Sequence, residues 1–316
     1  MNSAFDVIAI GRVGIDLYPL QDNVTLDHVT SFEKFIGGSA TNLAIAAARH
    51  GLISAIITRT GSDPFGTFIM DELSRLGVSN QFVSTVPILH TPIVFAEIFP
   101  PDNFPLYYYR DPKAPDLMIQ SHELDLPAIK QTKIYWSTLT GLSEEPSRSA
   151  HFTAWDARNR SAHTILDLDY RPTLWSPTNS PKVQIAKALK HVSIVIGNQE
   201  ECEIATGEND PDRAADALLN QGVEIAVVKM GAQGVLAKSR SETVRKLPHR
   251  IEVQNGLGAG DSFGGGFCYG LLQKWDLEKT IAFANVAGAI NASRHACATA
   301  MPTTQEVLAI LNELHE

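Results

Sequence analysis

Asn255-Gly256-Leu257-Gly258-Ala259-Gly260-Asp261-Ser262-Phe263-Gly264-Gly265-Gly266 reads as a loop turning into a helix. Gly256, Gly258 and Gly260 let the backbone take positive φ and come close to a ligand. From Asp261 the chain turns apolar through Phe267, Leu271 and Leu272, as a buried helix does. The first helical turn leaves backbone N–H groups without internal partners, and the axis dipole adds partial positive charge. Gly258, Ala259 and Gly260 carry nothing that would block an anion, so a phosphate is the natural occupant. A carboxylate at Asp261 would repel that phosphate unless it faces a neutral hydroxyl and accepts its proton. Anion-holding amides beside a base are the layout for phosphoryl transfer to an alcohol. The alternative for this stretch alone is a glycine-rich packing turn with Asp261 as an ordinary first-turn acid.

Upstream, strand and helix alternate. Val7–Ile10 is a short apolar run, Leu43–His50 a small-residue helix stopped by Gly51, Ile53–Thr58 a strand and Phe65–Leu76 a helix before Gly77. Such alternation predicts a parallel sheet with helices on both faces. It continues through strands at Ile134–Ser137, Thr164–Leu168, Val192–Ile196 and Ile225–Val228, with a helix at Ser147–Asn159, and two helices, 277–293 and 304–315, close the chain. The pattern breaks at residues 15–20 and 28–36, and again at Ile93–Phe99 and Leu106–Tyr109 around the Pro100-Pro101-Asp102-Asn103 turn. These segments predict a small separate sheet, built from about 12–36 and 92–111, that acts as a lid on a single domain spanning 1–316. Tyr107-Tyr108-Tyr109-Arg110 ends on that sheet, either as part of the lid's working face or as an ordinary aromatic edge strand.

Gly37-Gly38-Ser39-Ala40-Thr41-Asn42 opens the small-residue helix. Its glycines can bring N–H groups to substrate oxygens, and Asn42 can both give and accept hydrogen bonds; a capped core helix is the alternative. Asp167-Leu168-Asp169-Tyr170-Arg171-Pro172 leaves the C-terminal end of a strand, where open α/β sheets gather ligand residues. The acids of Asn198-Gln199-Glu200-Glu201 either complement a helix dipole or place a hydrated Mg²⁺ near phosphates. Lys229, before a glycine turn, either meets a nucleotide phosphate or is solvated. Gly11-Arg12-Val13-Gly14 is not G-x-G-x-x-G, and no G-K-[ST] occurs, so a dinucleotide fold and a Walker phosphate loop are both disfavoured.

The bulk numbers agree. The 316 residues are 44% hydrophobic, enough for a large core, and the net charge of −9 argues against nucleic acid or an anionic membrane as partner. Cys202, Cys268 and Cys297 show no paired or metal-like spacing, and there is no signal-like or membrane-spanning run, so a cytoplasmic location is expected.

Taken together, Gly37-Gly38-Ser39-Ala40-Thr41-Asn42, the Asn198-x-x-Glu201 segment and Gly258-Ala259-Gly260-Asp261 resemble, in order, the motifs of ribokinase-like (PfkB) carbohydrate kinases. The resemblance implies a three-layer α/β/α body with a mostly parallel central sheet and a small β-sheet lid. It implies that Asp261 takes the proton of the substrate's primary hydroxyl, and that Gly258, Ala259 and Gly260 hold the transferring phosphate. Asp16, Gly37, Gly38 and Asn42 would hold the sugar. Asn198, Lys229, Gly231, Gly234 and Asn285 would lie along ATP, and Glu201 would order Mg²⁺ through water.

Tyr109, Arg110 and Arg171 match positions that hold a sugar acid in related keto-deoxy sugar-acid kinases. Together with Arg12 they suit a carboxylate rather than a neutral sugar, since a guanidinium fork makes paired charge-assisted bonds. The substrate expected is therefore a six-carbon keto-deoxy sugar acid; a neutral sugar of the fructose or ribose kind is the rival, and a non-catalytic sugar or nucleotide sensor the rival of another class. Relatives that bind K⁺ carry an aspartate before the glycine loop; this chain has Asn255, which weakens the case for K⁺. Relatives often pair through the lid, so a homo-oligomer is expected. Asn291, in a small apolar run, has no role beyond a hydrogen bond to a nearby loop.

Overall fold

Alternation of apolar runs with small-residue helices produces two stacked helix layers around one sheet. The structure, a computed structural model, describes residues 5–21 and 23–313. Its strands are β1 (Val7–Ile10), β2 (Gly14–Pro19), β3 (Phe32–Gly37), β4 (Ser54–Gly61), β5 (Val78–Ser79), β6 (Val83–Val86), β7 (Ile93–Ala96), β8 (Leu106–Tyr109), β9 (Ile134–Thr138), β10 (Thr164–Asp167), β11 (Ile194–Asn198), β12 (Ile225–Lys229), β13 (Val235–Ser239) and β14 (Thr243–Lys246). The helices are α1 (Ser39–Arg49), α2 (Pro64–Arg75), α3 (Leu126–Gln131), α4 (Ser147–Arg158), α5 (Pro181–Ala188), α6 (Gln199–Thr206), α7 (Pro211–Asn220), α8 (Ala259–Leu272), α9 (Leu277–Ala292) and α10 (Thr304–Glu313). None is long and apolar enough to cross a membrane.

The large sheet runs β14-β13-β12-β11-β10-β9-β1-β4-β5, with β6 also beside β4. It is parallel from β12 to β5 and antiparallel at β12–β13 and β13–β14. Side chains alternate across a strand, so β1 serves both layers. Val7 and Ala9 join Leu43, Phe263 and Phe267 in one core, whereas Ile8 and Ile10 join Trp155, Ala188 and Ala214 in the other. Burial on both faces is why these strands are apolar runs rather than alternating patterns. The three cysteines are free and buried.

Small residues set the helix spacing that the site depends on. Gly264 and Gly265 of α8 lie against Leu43, Trp136 and Ala46, and a Cβ at either position would overlap them. Small-residue contacts let two helix axes approach to the short end of the usual ~8–10 Å. That approach brings Asn42 of α1 to Asp261 of α8.

The second sheet has the order β3-β2-β7-β8, with β2–β7 parallel and the other pairs antiparallel. Two predicted strands are shorter than the sequence pattern suggested. Residues 25–29 close a turn through His28 N–H to Thr25 O, so pairing starts only at Phe32. Past Ala96 the second arm keeps only a bridge between Phe99 and Asn103 across the proline turn. Helices α3, α5 and α7 fall in stretches the sequence pattern left unassigned; each starts with an Asp or Ser cap and a proline within the next two residues, a local start signal that needed no long apolar stripe.

Candidate active site

The parallel strands end in polar residues that point at one cleft. Asp167 ends β10, Asn198 ends β11 and Lys229 ends β12, and Arg12 follows β1 closely. This is the carboxyl edge, where open α/β sheets form ligand crevices. The open cleft there has a volume of about 820 Å³, with Asp16 and Tyr108 of the small sheet on its far side.

Two glycine-started helices aim at it. Most helices here carry a side-chain cap, such as Asp63 on α2, Asn198 on α6 and Asp276 on α9. Helices α1 and α8 start at Gly38 and Gly258 with no capping side chain, so their first amides remain available to a ligand. Both glycines are required. Gly38 has φ +102° and its absent Cβ would strike the Arg12 carbonyl, while Gly258 has φ +77° and a Cβ there would overlap Cys297 Sγ. At Gly260 the space opens toward Lys229, whose Nζ would lie 3.1 Å from a Cβ.

Asp261 lies in the first turn of α8, and its Oδ2 accepts a hydrogen bond from Asn42 Nδ2 at 2.9 Å. Burial pushes its carboxyl up to about 7, reinforced by Asp169 and Asp167 and opposed by the Asn42 bond and Lys229. Burial likewise lifts Asp16 to about 6 against the pull of Arg12. Asp167 rises to about 6, mainly through burial, although Lys229 lies 4.0 Å away. The cleft therefore holds carboxylates poised to exchange protons near neutral pH.

Opposite them is a cationic corner. Arg12 Nη2 donates to Asp169 Oδ2 at 2.6 Å and to Ser39 Oγ at 3.0 Å, and Arg171 Nη2 lies 2.9 Å from Asp169 Oδ1. The Tyr108 ring faces the Arg12 guanidinium at 5.8 Å. Glu201 is held by backbone: Oε2 accepts from Asn198 N–H at 2.7 Å and Oε1 from Tyr170 N–H at 3.1 Å, while Asn198 Oδ1 accepts from Glu201 N–H at 2.8 Å. Among the described residues no three metal-binding side chains cluster.

The structure thus brings Arg12, Asp16, Gly38, Asn42, Arg171, Asn198, Glu201, Lys229, Gly258, Gly260 and Asp261 to one cleft. Ala259 lies between Gly258 and Gly260 in the same turn, and Gly37 backs the Asp16 carboxylate, which a Cβ there would displace. Asn285 lines a neighbouring cavity of about 890 Å³ with Leu247, Pro248 and Val286, and donates to Leu247 O at 2.6 Å. Gly231 and Gly234 form the turn between β12 and β13 and do not line the cleft.

Two expectations are corrected. Tyr109 is 64% exposed and packs on Phe95, away from the cleft. Arg110 donates to both oxygens of Asp116, at 3.0 and 2.8 Å, with both side chains buried. For Tyr109 the physical reason is the two-residue period of a strand; Arg110 lies just past β8 and is held by its ion pair with Asp116. Val94 pairs with Tyr108 and Ala96 with Leu106, so residues 106 and 108 face inward and 107 and 109 outward. Tyr108 is the cleft residue, and period counting from Leu106 would have found it. Ser39, Asp167 and Asp169, which lay in the quoted segments without roles of their own, also line the cleft, as does Cys297. Asn291 Nδ2 donates to Leu257 O at 3.2 Å, bracing the glycine loop. Asn255 is fully buried, donating to His295 O at 2.7 Å and accepting from Leu257 N–H at 3.0 Å, so a neutral amide satisfies this corner.

Known proteins share this chain's pattern. The family described as pfkB family carbohydrate kinase matches residues 4–304. Proteins named 5-dehydro-2-deoxygluconokinase are similar throughout: that of Shouchella clausii is 33% identical, covering 98% of this chain and 97% of its own, and that of Photobacterium profundum is 34% identical, covering 96% and 93%. Two solved structures share the fold at lower identity. They are a fructokinase with bound ATP from Xylella fastidiosa (TM-score 0.86, 24% identity, 98% of this chain and 99% of that one) and a putative ribokinase II with ATP and Mg²⁺ from E. coli (TM-score 0.87, 19% identity, the same coverage). The match over nearly the whole chain, joined to a glycine-started helix carrying a half-buried aspartate at a strand-end cleft, means that the chain belongs to the pfkB family of carbohydrate kinases.

Proposed function

We propose that this protein transfers the γ-phosphate of ATP to the primary hydroxyl of 5-dehydro-2-deoxy-D-gluconate, a reaction of myo-inositol catabolism, giving the 6-phosphate and ADP. The observation that carries it is the pairing of Asp261 with the uncapped start of α8 on one side of the cleft, and of Arg12 and Arg171 on the other. The names of the relatives point to the same substrate.

Asn42 holds one oxygen of Asp261, leaving the other to accept the hydroxyl proton. The alcohol oxygen forms its bond to the γ-phosphorus as the bond to the β-phosphate oxygen breaks. Charge gathers on the γ-oxygens, and the amides of Gly258, Ala259 and Gly260 with Lys229 meet it. Asp16 and Asn42 accept and donate to sugar hydroxyls. Arg12 and Arg171 take the carboxylate. The small sheet, with Asp16 and Tyr108 facing the cleft, acts as the lid on a single domain. Asn285 and its cavity lie where the adenine would rest, with Gly231 and Gly234 shaping the nearby turn.

Glu201 and Asn198 suit Mg²⁺ through water, since each Glu201 oxygen already accepts one backbone N–H. When bound, Mg²⁺ would neutralise charge on the β- and γ-phosphates. Asn255 offers K⁺ no carboxylate, and its amide donates to His295 O.

An ADP-release panel tests the reading. kcat/KM for 5-dehydro-2-deoxygluconate should exceed that for fructose and ribose by ~10²-fold or more. A preference for a neutral sugar, or for 2-keto-3-deoxygluconate, would defeat the assignment. Arg110→Ala separates stability from recognition. It strands a buried carboxylate and should cost about 3–5 kcal/mol in denaturant unfolding. The KM for the sugar acid should stay within about twofold, since no cleft group is lost; a tenfold rise would return Arg110 to the site.

A further inference from the structure

Arg12 and Arg171 come from opposite ends of roughly the first half of the chain and meet at one carboxylate. Asp169 Oδ2 accepts from Arg12 Nη2 at 2.6 Å and from Ser39 Oγ at 2.5 Å, with Thr140 Oγ1 at 3.4 Å, and its Oδ1 lies 2.9 Å from Arg171 Nη2. The carboxylate is 5% exposed. Arg12 is equally buried, yet its Nε has no partner in the protein. Arg12 itself lines the cleft, and a buried guanidinium N–H without a partner calls for an acceptor. Two guanidinium groups meet one carboxylate at this corner, with Glu201 also 3.6 Å from Arg171, in a cleft that further holds Asp16, Asp167, Asp261 and Lys229.

We propose that Asp169 is a positioning residue for substrate recognition: it clamps Arg12 and Arg171 side by side so that their free edges take one carboxylate of a mono-anionic sugar acid. This rests on the sugar-acid reading above. Without the clamp each arginine has a competing acid. Arg171 Nη1 is already 3.6 Å from Glu201 Oε1, and Arg12 is the cation that draws on Asp16. Released, the pair would separate onto those neighbours and the anion corner would vanish. Burial pushes the Asp169 carboxyl up, but Arg12 and Arg171 outweigh it and hold it well below the usual carboxylate range, so the clamp is charged at neutral pH.

Asp169→Asn keeps the shape and cannot hold two guanidinium groups. In the full-length enzyme its KM for 5-dehydro-2-deoxygluconate should rise about 20–100-fold, the scale of losing one member of a buried charge pair. kcat should stay within about threefold and the KM for ATP within about twofold, a split that a general disturbance would not give. Wild type should also prefer the acid over its uncharged C1 amide by ~10²-fold, and Asp169→Asn should shrink that ratio to ~10 or less. An unchanged acid KM in the variant, with wild-type discrimination intact, overturns the clamp alone. Equal losses for acid and ATP overturn it too. Wild type that accepts acid and amide equally overturns the sugar-acid reading itself. Should Asp169→Asn not fold, Ser39→Ala carries the test: loss of its two hydrogen bonds, one to Arg12 and one to Asp169, should raise the acid KM about three- to tenfold with ATP unaffected, and no change would overturn the proposal.

Discussion

Asp261→Asn should leave both substrates bound and lower kcat by ~10²–10⁴, the range for loss of a general base. The amide fills the same space and can still accept from Asn42 Nδ2, so the cleft is retained while its proton acceptor is gone. The same residue sets the pH profile. A base must be ionised, and burial raises Asp261 from 3.8 to about 7, so kcat/KM should climb from pH 5 to 8 with a midpoint near 7. Stability runs the other way. A carboxyl whose folded value is raised contributes stability that is fully present below its unfolded value, 3.8, and lost as pH rises through about 7. Asp261→Asn should therefore gain about 1–3 kcal/mol at pH 8, less than the full shift because the carboxylate faces an open cleft. The gain should shrink below pH 7 and disappear below pH 4. Thermal unfolding at pH 5 and 8 with ADP-release kinetics reads both effects. Near-normal turnover in the variant would remove Asp261 from the chemistry.

Gly258→Ala is expected to lower kcat/KM by ~10²–10³, comparable to losing an oxyanion-hole donor. Two costs combine. The φ of +77° is unfavourable for an L-residue by roughly 1–2 kcal/mol. In addition, the new methyl overlaps Cys297 Sγ, so the first turn of α8 must move away from where the phosphate would lie. The two costs separate in the Cys297→Ala background, where the nearest remaining atoms to the methyl are at 3.2 Å. There Gly258→Ala should recover ~10-fold, leaving the backbone cost. Cys297→Ala alone should work nearly as well as wild type. Full activity in Gly258→Ala would show that these amides do not cradle the transferring phosphate.

Much of this layout was legible in residues alone. The 255–266 stretch is local: glycine conformational freedom, orphan amides and an acid at the third helical position follow from chain chemistry without neighbours. Apolar runs buried on both faces likewise marked a parallel sheet, and strand ends marked Asp167–Arg171 and Lys229. The misplaced pair, Tyr109 and Arg110, came from matching positions to related kinases; strand register turns Tyr109 outward, and an ion pair with Asp116 takes Arg110. Glu201 belonged to the right segment, and the spacing of Asn198-x-x-Glu201 is that of the capping box it forms.

The amino-acid order by itself determined the family, the alternating body, the anion-ready helix start and the acid placed to take a proton, because each depends on short-range backbone geometry. Tertiary structure alone decided which charges meet. That Asp169 joins arginines 157 residues apart and two residues apart, that Arg110 turns to Asp116, and that burial lifts Asp261 toward neutrality all depend on distance and desolvation, which exist only once the layers have packed.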